Sequence, residues 1–187
     1  MLLDGSSDFE LAVRLRSGGA TLGELFSFMS GLYFRGKLAY AREFARPPGG
    51  QGVLVITPAR GLVAADTVVS LAELREIARV PIELGEPRYR EPLVRDAERL
   101  AATLTISTRV VLLGSVATDK YIGPLSPVFG PRLFIPAEFV GRGDMSRGGL
   151  MLRCVESGEE LSYVTVTEAG RRGSRPPRLS PRRRQDS

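Results

Sequence analysis

Arg142, Asp144, Ser146 and Arg147 lie within the glycine-rich run FVGRGDMSRGGLMLR at 139–153. Glycine lets backbone amides approach a ligand closely, and a guanidinium group holds phosphate or carboxylate through paired hydrogen bonds. The run, with Gly143 between its charged residues, is therefore expected to be an anion-binding loop that leads into an apolar strand. Arg35 and Lys37 flank Gly36 among Tyr33, Phe34 and Tyr40, and cations interleaved with rings suit phosphates and stacked bases. By spacing, Tyr33 continues an apolar helix face and reads as core, which leaves Arg35 and Lys37 as binding candidates. Arg60, Gly61, Gly114, Ser115 and Lys120 complete the expected binding set.

The chain contains no histidine. That removes the commonest general base near neutral pH and any serine–histidine triad. With a single cysteine, Cys154, a zinc site is also not expected, and no metal or cofactor is implied. Acid-base work falls to carboxylates. Asp4 and Asp144 are the catalytic candidates, because a carboxylate in a cleft can activate water or stabilise an oxocarbenium-like sugar while an N-glycosidic bond breaks. Asp144 could instead pair with Arg142 or Arg147 and only order its loop. Asp66 suits a turn-fixing role, and Asp119 stands beside Lys120.

These residues need a scaffold, and helical and strand signals alternate along the body. Ser7 with Glu10 and Thr21 with Glu24 are capping boxes, followed by helices over about 8–16 and from Leu22 through Tyr33, with further helical sequence to Ala45. Val53 to Thr57 is a β-branched run that reads as a central strand buried on both faces. Ser70 and Glu73 cap a short helix, and a longer one follows through Tyr89, Leu93, Ala97, Leu100 and Leu104. Arg109 to Leu113 and Leu133 to Ile135 read as further strands, with any helix between them shortened or kinked by Pro124 and Pro127. Leu150 to Val155 and Leu161 to Val166 suggest a hairpin around Ser157-Gly158.

Strands separated by helices imply an α/β fold of three layers, with a mostly parallel sheet, flanking helices and a C-terminal hairpin. In such sheets ligands bind beyond the carboxyl ends of the strands. Asp4-Gly5-Ser6, Thr57 to Gly61, Gly114-Ser115 and the loop after Pro136 are therefore expected to line one cleft.

A single domain over 1–167 and a disordered basic tail over 168–187 fit the length and composition. The tail carries seven arginines from Arg171 to Arg184 against Asp186, a local balance of +6, so the rest of a chain of net charge +5 is nearly neutral. Such a tail can add salt-sensitive affinity for nucleic acid; equally, it can be a solvated extension. One cysteine, no signal-peptide pattern and no long apolar run point to a soluble cytoplasmic protein, without a membrane partner.

The segments SGLYFRGKLAYA at 30–41, ITPARGLVAADTVVS at 56–70 and VVLLGSVATDKYIGPL at 110–125 carry a family resemblance. They are similar to bacterial relatives of the peroxide-stress proteins within the uracil-DNA-glycosylase-like fold group, also met as an accessory domain of archaeal tRNA-guanine transglycosylases. The resemblance covers about Leu3 to Phe129 and implies a three-layer α/β fold with a link to nucleic acid or nucleobases. Where such relatives often have a cysteine-serine-lysine cluster after the first strand, this chain has Asp4-Gly5-Ser6-Ser7, so chemistry at that position is not carried over. Two expectations result. One is a protein directed at a nucleotide, nucleobase or nucleic acid, acting on an N-glycosidic or phosphate-bearing substrate, with Arg60, Arg142 and Arg147 on phosphate. The other is a non-catalytic nucleic-acid-binding protein that uses the cleft arginines and the tail. The oligomeric state is not encoded in any motif.

Overall fold

The computed structural model describes residues 2–3, 7–115 and 118–169. Its elements in chain order are α1 (Glu10–Ser17), β1 (Ala20–Thr21), α2 (Leu22–Phe44), β2 (Leu54–Thr57), β3 (Gly61–Ala64), β4 (Val68–Val69), α3 (Leu71–Ala78), α4 (Pro87–Thr103), β5 (Val110–Val111), α5 (Asp119–Phe129), β6 (Leu133–Pro136), α6 (Asp144–Ser157) and β7 (Tyr163–Thr165). The expected three-layer, mostly parallel sheet is absent among the described residues. About 53% of the described residues are helical, and the strands form small sets: antiparallel β1–β4, antiparallel β2–β3, and β5–β6–β7, in which β5 and β6 are parallel and β7 is antiparallel to β6.

The correction has a physical cause in the β2–β3 ribbon. Val55 pairs with Val63 and Ile56 with Leu62. Val55 and Val63 join one apolar cluster, with Leu15, Leu22, Leu25, Leu74 and Ile77, whereas Ile56 and Leu62 join a second, with Tyr89, Leu93, Leu125, Phe129 and Leu133. Both faces of the ribbon are thus apolar because it stands between two clusters rather than within a wide sheet. Neighbouring strands and covering helices leave the same hydrophobic run in a sequence. Each buried leucine in these clusters contributes roughly 1.5–3 kcal/mol.

Local signals fared better where a hydrogen bond decides the outcome. The Thr21 side chain accepts from the Glu24 amide while the Glu24 carboxylate accepts from the Thr21 amide at 3.1 Å, and Ser70 with Glu73 repeats the arrangement at 2.7 Å. The Arg14 guanidinium and the Thr21 bonds hold the Glu24 carboxyl down at about 2. α1 instead opens at Phe9 without a side-chain cap. α2 is two helical pieces joined at Gly31, whose φ of 61° and ψ of −141° lie outside the helical region in a conformation that side chains resist.

The expected C-terminal hairpin is also overturned. Residues 150–155 belong to α6, and the strand that follows, β7, pairs with β6 through Phe134–Thr165 and Pro136–Tyr163. The glycines explain it. A Cβ on Gly36 would lie 2.6 Å from the Gly148 carbonyl oxygen, and one on Gly148 would lie 2.9 Å from both the Leu32 oxygen and the Tyr33 Cα. Gly36 and Gly148 therefore let α2 and α6 cross backbone to backbone, and the glycine run read as a ligand loop is in large part a helix-packing surface. A third apolar cluster, of Tyr40, Phe139, Met151, Cys154 and Leu161, seals this crossing.

Candidate functional site

A cavity of about 1060 Å³ lies between the second half of α2, the β2–β3 ribbon, β5 with the segment after it, and the first turns of α5 and α6. Its volume is at the upper end of the range of small-molecule sites. Much of the wall is apolar. Ser30, Tyr33, Lys37, Gly114, Ser115, Lys120, Tyr121 and Asp144 line it, as do Arg46, Arg109 and Glu160.

Helical geometry positions the first of these. Tyr33 and Lys37 are four residues apart beyond the Gly31 kink, so they stack on one helix face, and the Lys37 ammonium lies 3.9 Å from the centroid of the Tyr33 ring. The Tyr33 hydroxyl donates to the Leu113 carbonyl at 3.3 Å, tying α2 to the segment that follows β5. On the opposite side, the Tyr89 hydroxyl donates to the Lys120 carbonyl at 2.7 Å and fixes the first turn of α5. Lys120 then reaches toward the Tyr121 ring, 5.4 Å from its centroid. Asp144 begins α6 at the cavity rim and accepts from the Arg147 guanidinium at 3.2 Å.

These surroundings tune the titratable groups. Burial lowers Lys37 to about 8, opposed by the Asp144 carboxylate and assisted by the positive charges of Arg147 and Lys120. Burial raises Tyr33 to about 12 and raises Tyr121 as well, so both phenols remain hydrogen-bond donors at neutral pH. This part of the cavity thus offers one poorly solvated amine, a second cation, two phenolic rings and a carboxylate, beside Arg46 and Arg109 elsewhere on the lining. Such a set can seat an anion, stack a flat ring and hold an amine partly neutral.

The expected site residues divide accordingly. Lys37, Gly114, Ser115, Lys120 and Asp144 converge on the cavity. Arg147 is a buried residue whose guanidinium donates to the Phe139 carbonyl at 2.9 and 3.2 Å. Arg142 donates to the Glu138 carbonyl and to Ser146 Oγ, both at 3.1 Å, and Gly143 caps α6. Arg60 sits in the β2–β3 turn, held by Glu73 at 2.7 Å and Glu76 at 2.8 Å. A Cβ on the neighbouring Gly61 would meet Asp96 and Pro92 of α4. Arg35 is exposed on α2, away from the cavity wall. The turn from Thr57 to Gly61 closes an antiparallel hairpin, so it does not join a cleft at the ends of parallel strands. Asp4 and the tail from 170 onward lie outside the described residues.

Sequence reasoning assigned Tyr33 to the core and passed over Tyr121. One signal was available: Lys37 and Lys120 are the two lysines of a chain otherwise supplied with arginine, and both line this cavity. Tyr40, Tyr163 and Glu160 form a second polar group on the wall, with Tyr40 and Tyr163 oxygens 2.7 Å apart and Tyr163 donating to Glu160 at 2.7 Å.

Fold and site together define a mainly helical α/β protein with a cavity lined by both of its lysines. No family model, curated protein or solved structure matches the chain. Among the described residues, no helix is long and apolar enough to cross a membrane, and no cluster of metal-ligating side chains is found.

Proposed function

We propose that the protein is directed at a nucleotide or nucleobase, which it takes into the cavity with its anionic group on Lys120 and its ring against Tyr33 and Tyr121. The observation that supports this reading most is that Lys37 and Lys120 line one cavity with two phenolic rings. Lysine is a compact cation able to meet a phosphate, and aromatic faces accept any base. Asp144, as the rim carboxylate, is the candidate for acid-base work on an N-glycosidic bond. The arginines Arg60, Arg142 and Arg147 have no part in this reading, since each is engaged by neighbouring carboxylates, carbonyls or a hydroxyl.

Thermal unfolding with a set of nucleoside monophosphates tests it. At about ten times its Kd, a bound nucleotide stabilises by roughly 1.4 kcal/mol, which raises Tm by roughly 3–5 °C in a chain of this size. Lys120→Met is expected to remove that rise while preserving the parent Tm, because the Tyr89 bond goes to the Lys120 backbone. The reading fails if no nucleotide, nucleoside or oligonucleotide raises the Tm.

A further inference from the structure

We propose that Lys37 is a nucleophilic amine that forms an imine with an aldehyde or ketone whose phosphate or carboxylate is seated on Lys120. The inference rests on the reading of the cavity as an anion site and adds a covalent step to it.

Four observations carry it. Lys37 lines the cavity that a ligand would fill. Its ammonium lies over the Tyr33 ring at 3.9 Å, which limits the freedom of a normally mobile side chain. The arginines Arg60, Arg142 and Arg147 are all engaged by anions, carbonyls or a hydroxyl, whereas the Lys37 amine rests on that aromatic face. Finally, burial disfavours the protonated form, and with the charges of Arg147 and Lys120 it outweighs the opposing Asp144 carboxylate. Desolvation and an adjacent cation are the two means by which a lysine becomes a nucleophile near neutral pH.

The step balances without an outside oxidant or reductant. The lone pair of neutral Lys37 Nζ forms a bond to the carbonyl carbon, and the π pair moves to oxygen, which takes up a proton. Nζ gives one proton to solvent. A second proton on that oxygen lets it leave as water, and the nitrogen lone pair closes the C=N bond. Net, one amine, one carbonyl and one proton give an iminium ion and water. Lys120 holds the substrate's anion throughout, while the Tyr121 hydroxyl, kept protonated by burial, is available to the carbonyl oxygen.

Pyridoxal 5′-phosphate, an anionic aldehyde, tests the proposal with the full chain. The protein is treated with it and cyanoborohydride across a pH series, digested, and the adducts are located by mass spectrometry. Lys37, Lys120 and the amino terminus are the amines that can be labelled. Label on Lys37 is expected to exceed that on Lys120 by roughly tenfold or more at neutral pH, and its rate is expected to be half-maximal near pH 8 rather than near the ordinary 10.5. Equal labelling of the two lysines, or a Lys37 rate still climbing above the ordinary value, overturns the proposal. Pyridoxal without its phosphate separates the two readings. If it labels Lys37 as fast as the phosphate does, and inorganic phosphate does not compete, the anion site is wrong while the nucleophile stands. If Lys120→Met slows labelling by pyridoxal 5′-phosphate alone, both hold.

Discussion

The segment from Gly141 to Arg153 and the lysine wall of the cavity both concentrate charge, yet they put it to different use. In the segment, Arg142 and Arg147 spend their donors on the carbonyls of Glu138 and Phe139 and on Ser146 and Asp144. The glycine there meets the backbone of another helix. On the cavity wall, Lys37 and Lys120 rest beside aromatic faces. A planar guanidinium with five donors is well made for gathering carbonyls, and a lysine for presenting one point charge to a ligand. Cation density along a sequence therefore says less about a site than which cations have internal acceptors within reach.

The comparison breaks most sharply at Gly148. If the run is a packing surface, Gly148→Val must force α2 and α6 apart, because even a Cβ would stand 2.9 Å from the Leu32 oxygen and the Tyr33 Cα. Overpacking of this kind costs about 3 kcal/mol, and more against backbone that cannot yield. Urea denaturation of the variant is expected to show at least that loss. A variant as stable as the parent, with changed ligand affinity only, would return the run to the role of a binding loop.

Arg147→Ala comes next, at about 2–4 kcal/mol. The side chain is buried, donates twice to one carbonyl and lies 5.3 Å from the Phe139 ring centroid, so truncation removes charge-assisted bonds and leaves a void. Arg147→Lys is expected to recover only part of the loss, since an ammonium cannot reproduce the fork. Full recovery by lysine, read from the same denaturation midpoints, would show that the charge matters and the geometry does not.

How much of this was legible in the sequence depends on the range of the interaction. Thr21 with Glu24 and Ser70 with Glu73 close hydrogen bonds across three residues and formed as read, whereas the Ser7–Glu10 box did not, since α1 opens at Phe9. α4 followed its apolar spacing for the same reason. The sheet was misread because Val55 and Ile56 report burial but not whether a strand or a helix does the burying. Glycine carries a similar ambiguity: at Gly148 it signals close approach, and the approaching group is a helix rather than a ligand. Lys37 and Lys120 were chosen individually, but their placement on one cavity depends on the α2 kink and the α5 start, which no local pattern links.

Lys37→Met gives the smallest effect and tests the lysine side of the comparison by its sign. In the folded state Lys37 titrates at about 8, below the ordinary 10.5, so the unfolded chain holds the proton more tightly. Between these values the unfolded state binds more protons, and stability rises with pH across that window. Below it the buried ammonium is a standing cost, of the order of 1–3 kcal/mol from the size of the shift. Replacing it with an apolar side chain of similar length should therefore stabilise the protein at neutral pH by up to that amount, and the advantage should shrink to nothing as pH climbs to the ordinary lysine value. Arg147→Ala loses stability at both pH values, because an arginine stays charged at each. The comparison fails if Lys37→Met destabilises at neutral pH, for then Lys37, like the arginines, would be serving the fold rather than a ligand.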